Sequence, residues 1–254
     1  MASSGGGRAD LVLEHLDPLA IDLTAAIHAG DLNILRRLIG RRAGLASARM
    51  IGRHGPEGGW RTPLHVAADW PGYFPAAAEA VGYLLEAGAD PNADTGGERP
   101  ETPLHWAAST DDVEVAAVLI DAGARLDTPG GSIGTPLDNA VGYGCWHVAR
   151  LLVASGAPVD ALWQAAALGL LMRMEELLAA HSLVQEDLDH AFWQACHGGQ
   201  RRAAERLLAA GADIAAIPDY AANQTALDTA TRPDTRRELL ATWLRERGAE
   251  PSAD

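Results

Sequence analysis

Thr62-Pro63-Leu64-His65 and Thr102-Pro103-Leu104-His105 are one four-residue phrase met twice, and Thr135-Pro136-Leu137-Asp138 and Thr225-Ala226-Leu227-Asp228 repeat it with changes. Each reads as a helix start. Threonine suits the N-cap because its hydroxyl can satisfy an unpaired backbone N–H, proline suits the first helical position, and leucine points inward. The residues that follow, Ala67-Ala68 and Ala107-Ala108, are small enough to let a neighbouring helix come close. Anchored on the leucine, seven starts align at Leu23, Leu64, Leu104, Leu137, Leu162, Phe192 and Leu227. Their spacings of 41, 40, 33, 25, 30 and 35 scatter about a common period, the mark of a stacked helical repeat.

A second apolar run follows each start, among them Tyr83-Leu84-Leu85, Val118-Leu119-Ile120, Leu151-Leu152-Val153 and Leu207-Leu208. Gly88-Ala89, Gly123-Ala124, Gly156-Ala157, Gly211-Ala212 and Gly248-Ala249 close five of these runs. Glycine is the expected residue there because it takes a left-handed conformation without penalty. With its recurring Thr-Pro-Leu-His and its helix pairs ending in Gly-Ala, the chain resembles the ankyrin-repeat family over roughly residues 20 to 250. The resemblance implies an all-α, ankyrin-like helix-turn-helix solenoid of about seven repeats with short hairpin fingers, and a function in protein recognition. Repeats five and six have lost the Thr-Pro, yet Leu162-Trp163-Gln164-Ala165 and Phe192-Trp193-Gln194-Ala195 match each other. They read as diverged repeats of one array. The expected organisation is a disordered tail at 1–10, a single repeat domain at 11–250 and a short tail at 251–254.

Composition narrows the function. The formal charge is −14, which disfavours a duplex nucleic-acid partner because phosphate binding draws on basic patches. All 20 basic residues are arginine, so neither Schiff-base chemistry nor the lysine of a phosphate-binding loop is open to the chain. Two cysteines, Cys145 and Cys196, do not make a disulfide scaffold. No secretory leader and no membrane-length apolar run are legible, so a soluble cytoplasmic protein is expected, with no membrane partner.

Departures from the repeat mark the candidate surface. Between Gly156 and the next start near Asp160 too few residues remain for a finger, whereas Arg42 to Thr62 is long and glycine-rich and predicts an extended first finger. Leu11-Val12-Leu13 and Leu16 are expected to cover the first helix pair, and arginines and glutamates around residues 236–247 to give the last helix a polar side. An insertion in repeat two, Asp69-Trp70-Pro71-Gly72-Tyr73-Phe74-Pro75, carries three aromatic residues on a turn. The equivalent turns of repeats four and six hold Tyr143, Trp146 and His147, and His197.

Two readings of these residues stand side by side. In one, Asp69, Trp70, Tyr73, Phe74, Trp106, Tyr143, Trp146, His147 and His197 form an aromatic, polar-rimmed edge that binds a partner. In the other, the loop folds back and its aromatics fill space; core packing is also the ordinary role for Trp106, Trp163 and Trp193 inside first helices. The matched His65 and His105 suggest a metal pair, but the spacing of packed helices argues against one shared ion. The family resemblance implies instead that they brace each helix pair by hydrogen bonding. Cys196 beside His197 is not a catalytic pair, because adjacent helical residues do not face each other. Asp111-Asp112 is explained by helix capping. No catalytic residue, cofactor or metal site is assigned. The expected function is a non-enzymatic module that binds a protein through its groove, fingers and aromatic edge. The alternative is a small-molecule site, or an enzyme pocket, around Asp69, Trp70, Trp106, Tyr143 and His197.

Overall fold

The computed structural model describes residues 11–52, 59–180, 183–232 and 237–252. The expected N-terminal tail, the middle of the first finger and the last two residues lie outside the described residues. The chain divides into two compact units, 1–156 and 157–254. The division falls where the finger spacing is shortest, after Gly156.

In the first unit, four helix pairs follow one another. They are α1 (Pro18–His28) with α2 (Leu32–Arg41), α3 (Pro63–Ala67) with α4 (Ala77–Glu86), α5 (Pro103–Thr110) with α6 (Val113–Asp121), and α7 (Pro136–Gly142) with α8 (Trp146–Ala154). First helices pack on first helices and second on second, from α1 through α7 and from α2 through α8. Leu64, Leu104 and Leu137 are fully buried, as are Ala67, Ala68, Ala107 and Ala108. Each leucine removed from water this way contributes about 2 kcal/mol, and the alanines leave room for the neighbouring helix.

Helix starts and stops obey the local chemistry. In α7, the backbone N–H and the hydroxyl of Thr135 both donate to Asp138 Oδ2, at 2.7 and 2.9 Å, while the Asp138 N–H returns a 3.3 Å bond to the Thr135 hydroxyl. The acidic residues Asp17, Asp31 and Asp112 cap α1, α2 and α6 by accepting from Leu19, Ile34 and Val115 N–H. Gly88, Gly123, Gly156, Gly211 and Gly248 all have positive φ, the left-handed stop that L side chains resist.

His65 and His105 brace the array. The Thr62 N–H donates to His65 Nδ1 at 3.1 Å, so the proton sits on Nε2, which donates to the Glu101 carbonyl of the next repeat at 3.0 Å. His105 does the same between Thr102 and the Gly134 carbonyl. Burial pushes the His65 imidazole down to about 4 and lowers that of His105. Both nitrogens of each ring are therefore spent on structure. An aspartate at position 138 can accept from Thr135 but has no N–H to pass on.

The helical framework carries one small sheet. Val12–Leu13 (β1) runs parallel to Arg49–Ile51 (β2), with Val12 opposite Arg49, and Trp60–Arg61 (β3) pairs antiparallel to β2. Residues 12 and 13 thus extend the first finger as a strand instead of lying on the first helix pair as an apolar cover. Backbone pairing decides this, since Leu13 turns inward while Val12 stays exposed. Trp60 is held between the Arg49 guanidinium, 4.7 Å above its ring, and Gly96 of the next finger.

The second unit contains α9 (Leu162–Leu168), α10 (Leu171–Ala180), α11 (Gln185–His197), α12 (Arg201–Ala209), α13 (Ala226–Thr231) and α14 (Glu238–Glu246). Here α11 starts seven positions before the Phe192 register of the sequence alignment. Val184 N–H donates to Asp187 Oδ2 at 3.0 Å and nucleates the helix early, because no Thr-Pro is present to start it later. Phe192, Trp193 and Cys196 join the core with Trp243 of α14. The last helix exposes Glu238, Thr242, Arg245 and Glu246 but also Leu239; Arg236 lies outside the described residues, and Arg237 turns inward and donates to the Cys196 and His197 carbonyls at the end of α11. Among the described residues no helix is long and apolar enough to cross a membrane.

Candidate functional site

The insertion in repeat two is anchored by its backbone and its acidic residue and leaves Trp70 the most exposed of its aromatic side chains. Arg61 Nη1 meets Asp69 Oδ2 at 3.0 Å, and Asp69 Oδ1 accepts the Trp70 N–H at 2.8 Å. The indole of Trp70 is 79% exposed. Phe74 turns back and stacks on His28 of α1, ring centres 4.2 Å apart. Between them, Gly72 has a positive φ and lies against Thr110, leaving no room for a Cβ. The loop thus divides its aromatics: Trp70 is displayed and Phe74 fills space.

Tyr73 ties the loop to the next repeat. Its N–H donates to Asp112 Oδ2 at 2.8 Å and its hydroxyl to the Asp111 carbonyl, although the ring is largely exposed. Asp111 carries the link one repeat further. Its Oδ1 accepts the N–H groups of His147 and Val148, at 3.0 and 2.9 Å, at the start of α8, and its Oδ2 meets His147 Nδ1 at 2.6 Å. The Asp111-Asp112 pair does cap helices, as its position implies, but Asp111 caps the helix of the following repeat. His147 is 74% exposed at its side chain, and Trp146 beside it is half-buried.

Four of the nine candidate residues line one open groove of about 540 Å³: Asp69, Trp70, Trp106 and Tyr143. Tyr143 is 53% exposed and its hydroxyl donates to Ser132 Oγ at 2.9 Å. Trp106 is half-buried in the wall, its ring edge-on to His65 at 5.1 Å, and its buried Nε1–H has no hydrogen-bond partner among the described residues. A neighbouring groove of about 280 Å³ shares Glu101 and Trp106 and continues past Thr95 to Trp60. A larger space of about 820 Å³, lined by His15, Leu16, Ile21, Met50 and Arg61 among others, gathers none of the nine residues.

Glu101, Ser109, Thr110 and Ser132 complete the aromatic groove, and the sequence did not single them out. Glu101 Oε1 accepts from the Ser132 N–H at 3.0 Å and from Nδ2 of the fully buried Asn139 at 3.4 Å. Its place immediately before Thr102 could have flagged Glu101, since the finger returns to the helix start there. Ser132 lies on a finger whose fold no periodicity reports.

His197 belongs to the second unit and is not among the residues that line this groove. Its ring lies 5.1 Å from Trp193, and burial, aided by Arg237 and Arg232, lowers its pKa to about 4. Packing explains it better than display. Trp193 is buried and donates its Nε1–H to the Gln224 carbonyl at 2.8 Å, while Trp163 stacks on His190. Cys196 is fully buried and burial pushes its thiol pKa up; burial pushes that of Cys145 up to about 11. Neither suits a nucleophile. Among the described residues no group of three or more His, Cys, Asp or Glu side chains could hold a metal ion.

The family model for ankyrin repeats, in three copies, matches residues 76–161. No curated protein matches the chain. The matched stretch runs from α4 to the start of α9 and holds the second Thr-Pro-Leu-His, its Thr-Pro-Leu-Asp variant and three of the Gly-Ala stops. Residues 76–161 of the chain thus carry three ankyrin repeats.

Proposed function

We propose that the chain recognises a protein partner through the aromatic groove and exposed rim of its first unit, without catalysing a reaction. Ankyrin repeats generally serve as protein interaction modules. The observation that carries the reading is Trp70, an indole left 79% exposed on a loop whose backbone is anchored on both sides. A rigid, displayed tryptophan beside Tyr143 and Trp106 has the make-up of an interface anchor. A cytoplasmic location belongs to the same reading, and the two free, buried thiols suit a reducing compartment. Quantitative affinity purification from the native host tests it. Wild type is expected to retain partners that a Trp70→Ala, Tyr143→Ala double variant of equal thermal stability loses; equal recovery by both would sink the reading.

A second reading, a small-molecule site, draws on the convergence of Asp69, Trp70, Trp106 and Tyr143 on one groove of about 540 Å³, a size suited to such ligands. A metabolite thermal-shift screen separates the two. A hit abolished by Trp70→Ala supports the small molecule, and a flat response removes it.

A further inference from the structure

The aromatic groove has a one-sided chemistry. Its lining holds three aromatic rings, Trp70, Trp106 and Tyr143, and two carboxylates, Asp69 and Glu101, with no basic residue. Asp69 is already paired with Arg61 at 3.0 Å. Glu101 has no basic partner among the described residues. Its Oε1 is held by the Ser132 N–H and by Asn139 Nδ2, which orients the carboxylate and leaves Oε2 without a hydrogen bond among the described residues. A purely apolar occupant would bury this charge unpaired, which is costly. An occupant that brings a cation removes the cost and gains from the ring faces.

We propose that this groove holds an arginine side chain carried on an extended segment of the protein partner, its guanidinium paired with Glu101 and lying against Trp70, Trp106 or Tyr143. The proposal rests on the recognition reading above. A planar guanidinium both stacks on aromatic faces and pairs with a carboxylate, which an ammonium does less well. The segment is extended because the groove is open and runs on, through the shared Glu101 and Trp106, into the neighbouring one, which is lined by Trp60 and by Arg61, the guanidinium already engaged by Asp69. Charge complementarity points the same way: the chain carries a net −14 and attracts basic segments at long range.

The test uses the full chain and four pools of acetylated, amidated nonapeptides with randomised flanks and a central arginine, lysine, citrulline or leucine. Citrulline keeps the shape of arginine and removes its charge. The arginine pool is expected to bind about tenfold more tightly than the citrulline pool, and to shift the indole N–H signals of Trp70 and Trp106. Glu101→Gln, whose side-chain oxygen can still accept from Ser132 and Asn139, should keep its melting temperature and lose the preference. Equal binding of the arginine and citrulline pools, no binding by any pool, or a preference that survives Glu101→Gln overturns the proposal. So does binding of a single capped arginine amide as tight as that of the pool, which would make the site one for a small molecule. If Trp70→Ala with Tyr143→Ala loses captured partners while Glu101→Gln and the pools show no arginine effect, the arginine assignment fails and recognition stands. If the double variant loses nothing, recognition itself fails.

Discussion

His65 joins two repeats with a single neutral imidazole; its protonation would cost the bond that Nδ1 accepts from the Thr62 N–H and put a charge in a fully buried site. Burial holds its folded pKa at about 4, below the ordinary imidazole value of 6.5. Between those values the unfolded chain binds a proton that the folded chain refuses, so the stabilisation is complete above pH 6.5 and is lost as the pH falls towards 4. The window is worth about 3 kcal/mol at this fully buried site, and His105, lowered by the same cause, acts in the same direction. Urea midpoints are expected to fall from pH 7 to pH 4.5, with the His65 imidazole signal untitrated above about pH 5. A midpoint that holds or rises on acidification would contradict the strut.

At the scale of elements, the insertion loop and the turn between α5 and α6 form a relay across three repeats: Tyr73 to Asp111 and Asp112, and Asp111 to the start of α8. Asp111 sits at φ +57, a left-handed position that an aspartate tolerates better than an alanine. Asp111→Ala removes the cap of α8 and adds backbone strain, and should destabilise by about 2 kcal/mol in urea denaturation. Tyr73→Phe deletes one bond at an exposed site and should cost less than about 1 kcal/mol. The reverse order of the two would show that α8 is capped in another way.

At the scale of the molecule, 34 acidic residues face 20 basic ones. Such an excess repels itself in the folded state, and several of the ion pairs, such as Arg201 with Glu205, are partly exposed and weak. Raising sodium chloride from low concentration to about 0.5 M at pH 7 should therefore raise the melting temperature by a few degrees. A fall would mean that the ion pairs outweigh the repulsion.

The helix starts were legible because each rests on neighbours in the chain: a threonine cap, a proline fixed in φ and a leucine one turn into the core. The Gly-Ala stops were legible for the same reason. Where that punctuation is missing, at Val184 to Phe192, the sequence placed the helix start late, since Asp187 had no motif to announce it. The candidate edge was legible only as a set of aromatics on turns. Its sorting into Trp70 displayed, Phe74 stacked on His28 and His197 packed against Trp193 depends on tertiary contacts, Phe74 meeting a ring 46 positions away, as does the recruitment of Glu101 and Ser132 to the groove. Local backbone chemistry repeats along the chain and can be read there; which side chain meets water is decided by contacts between repeats, which exist only once the helices have stacked.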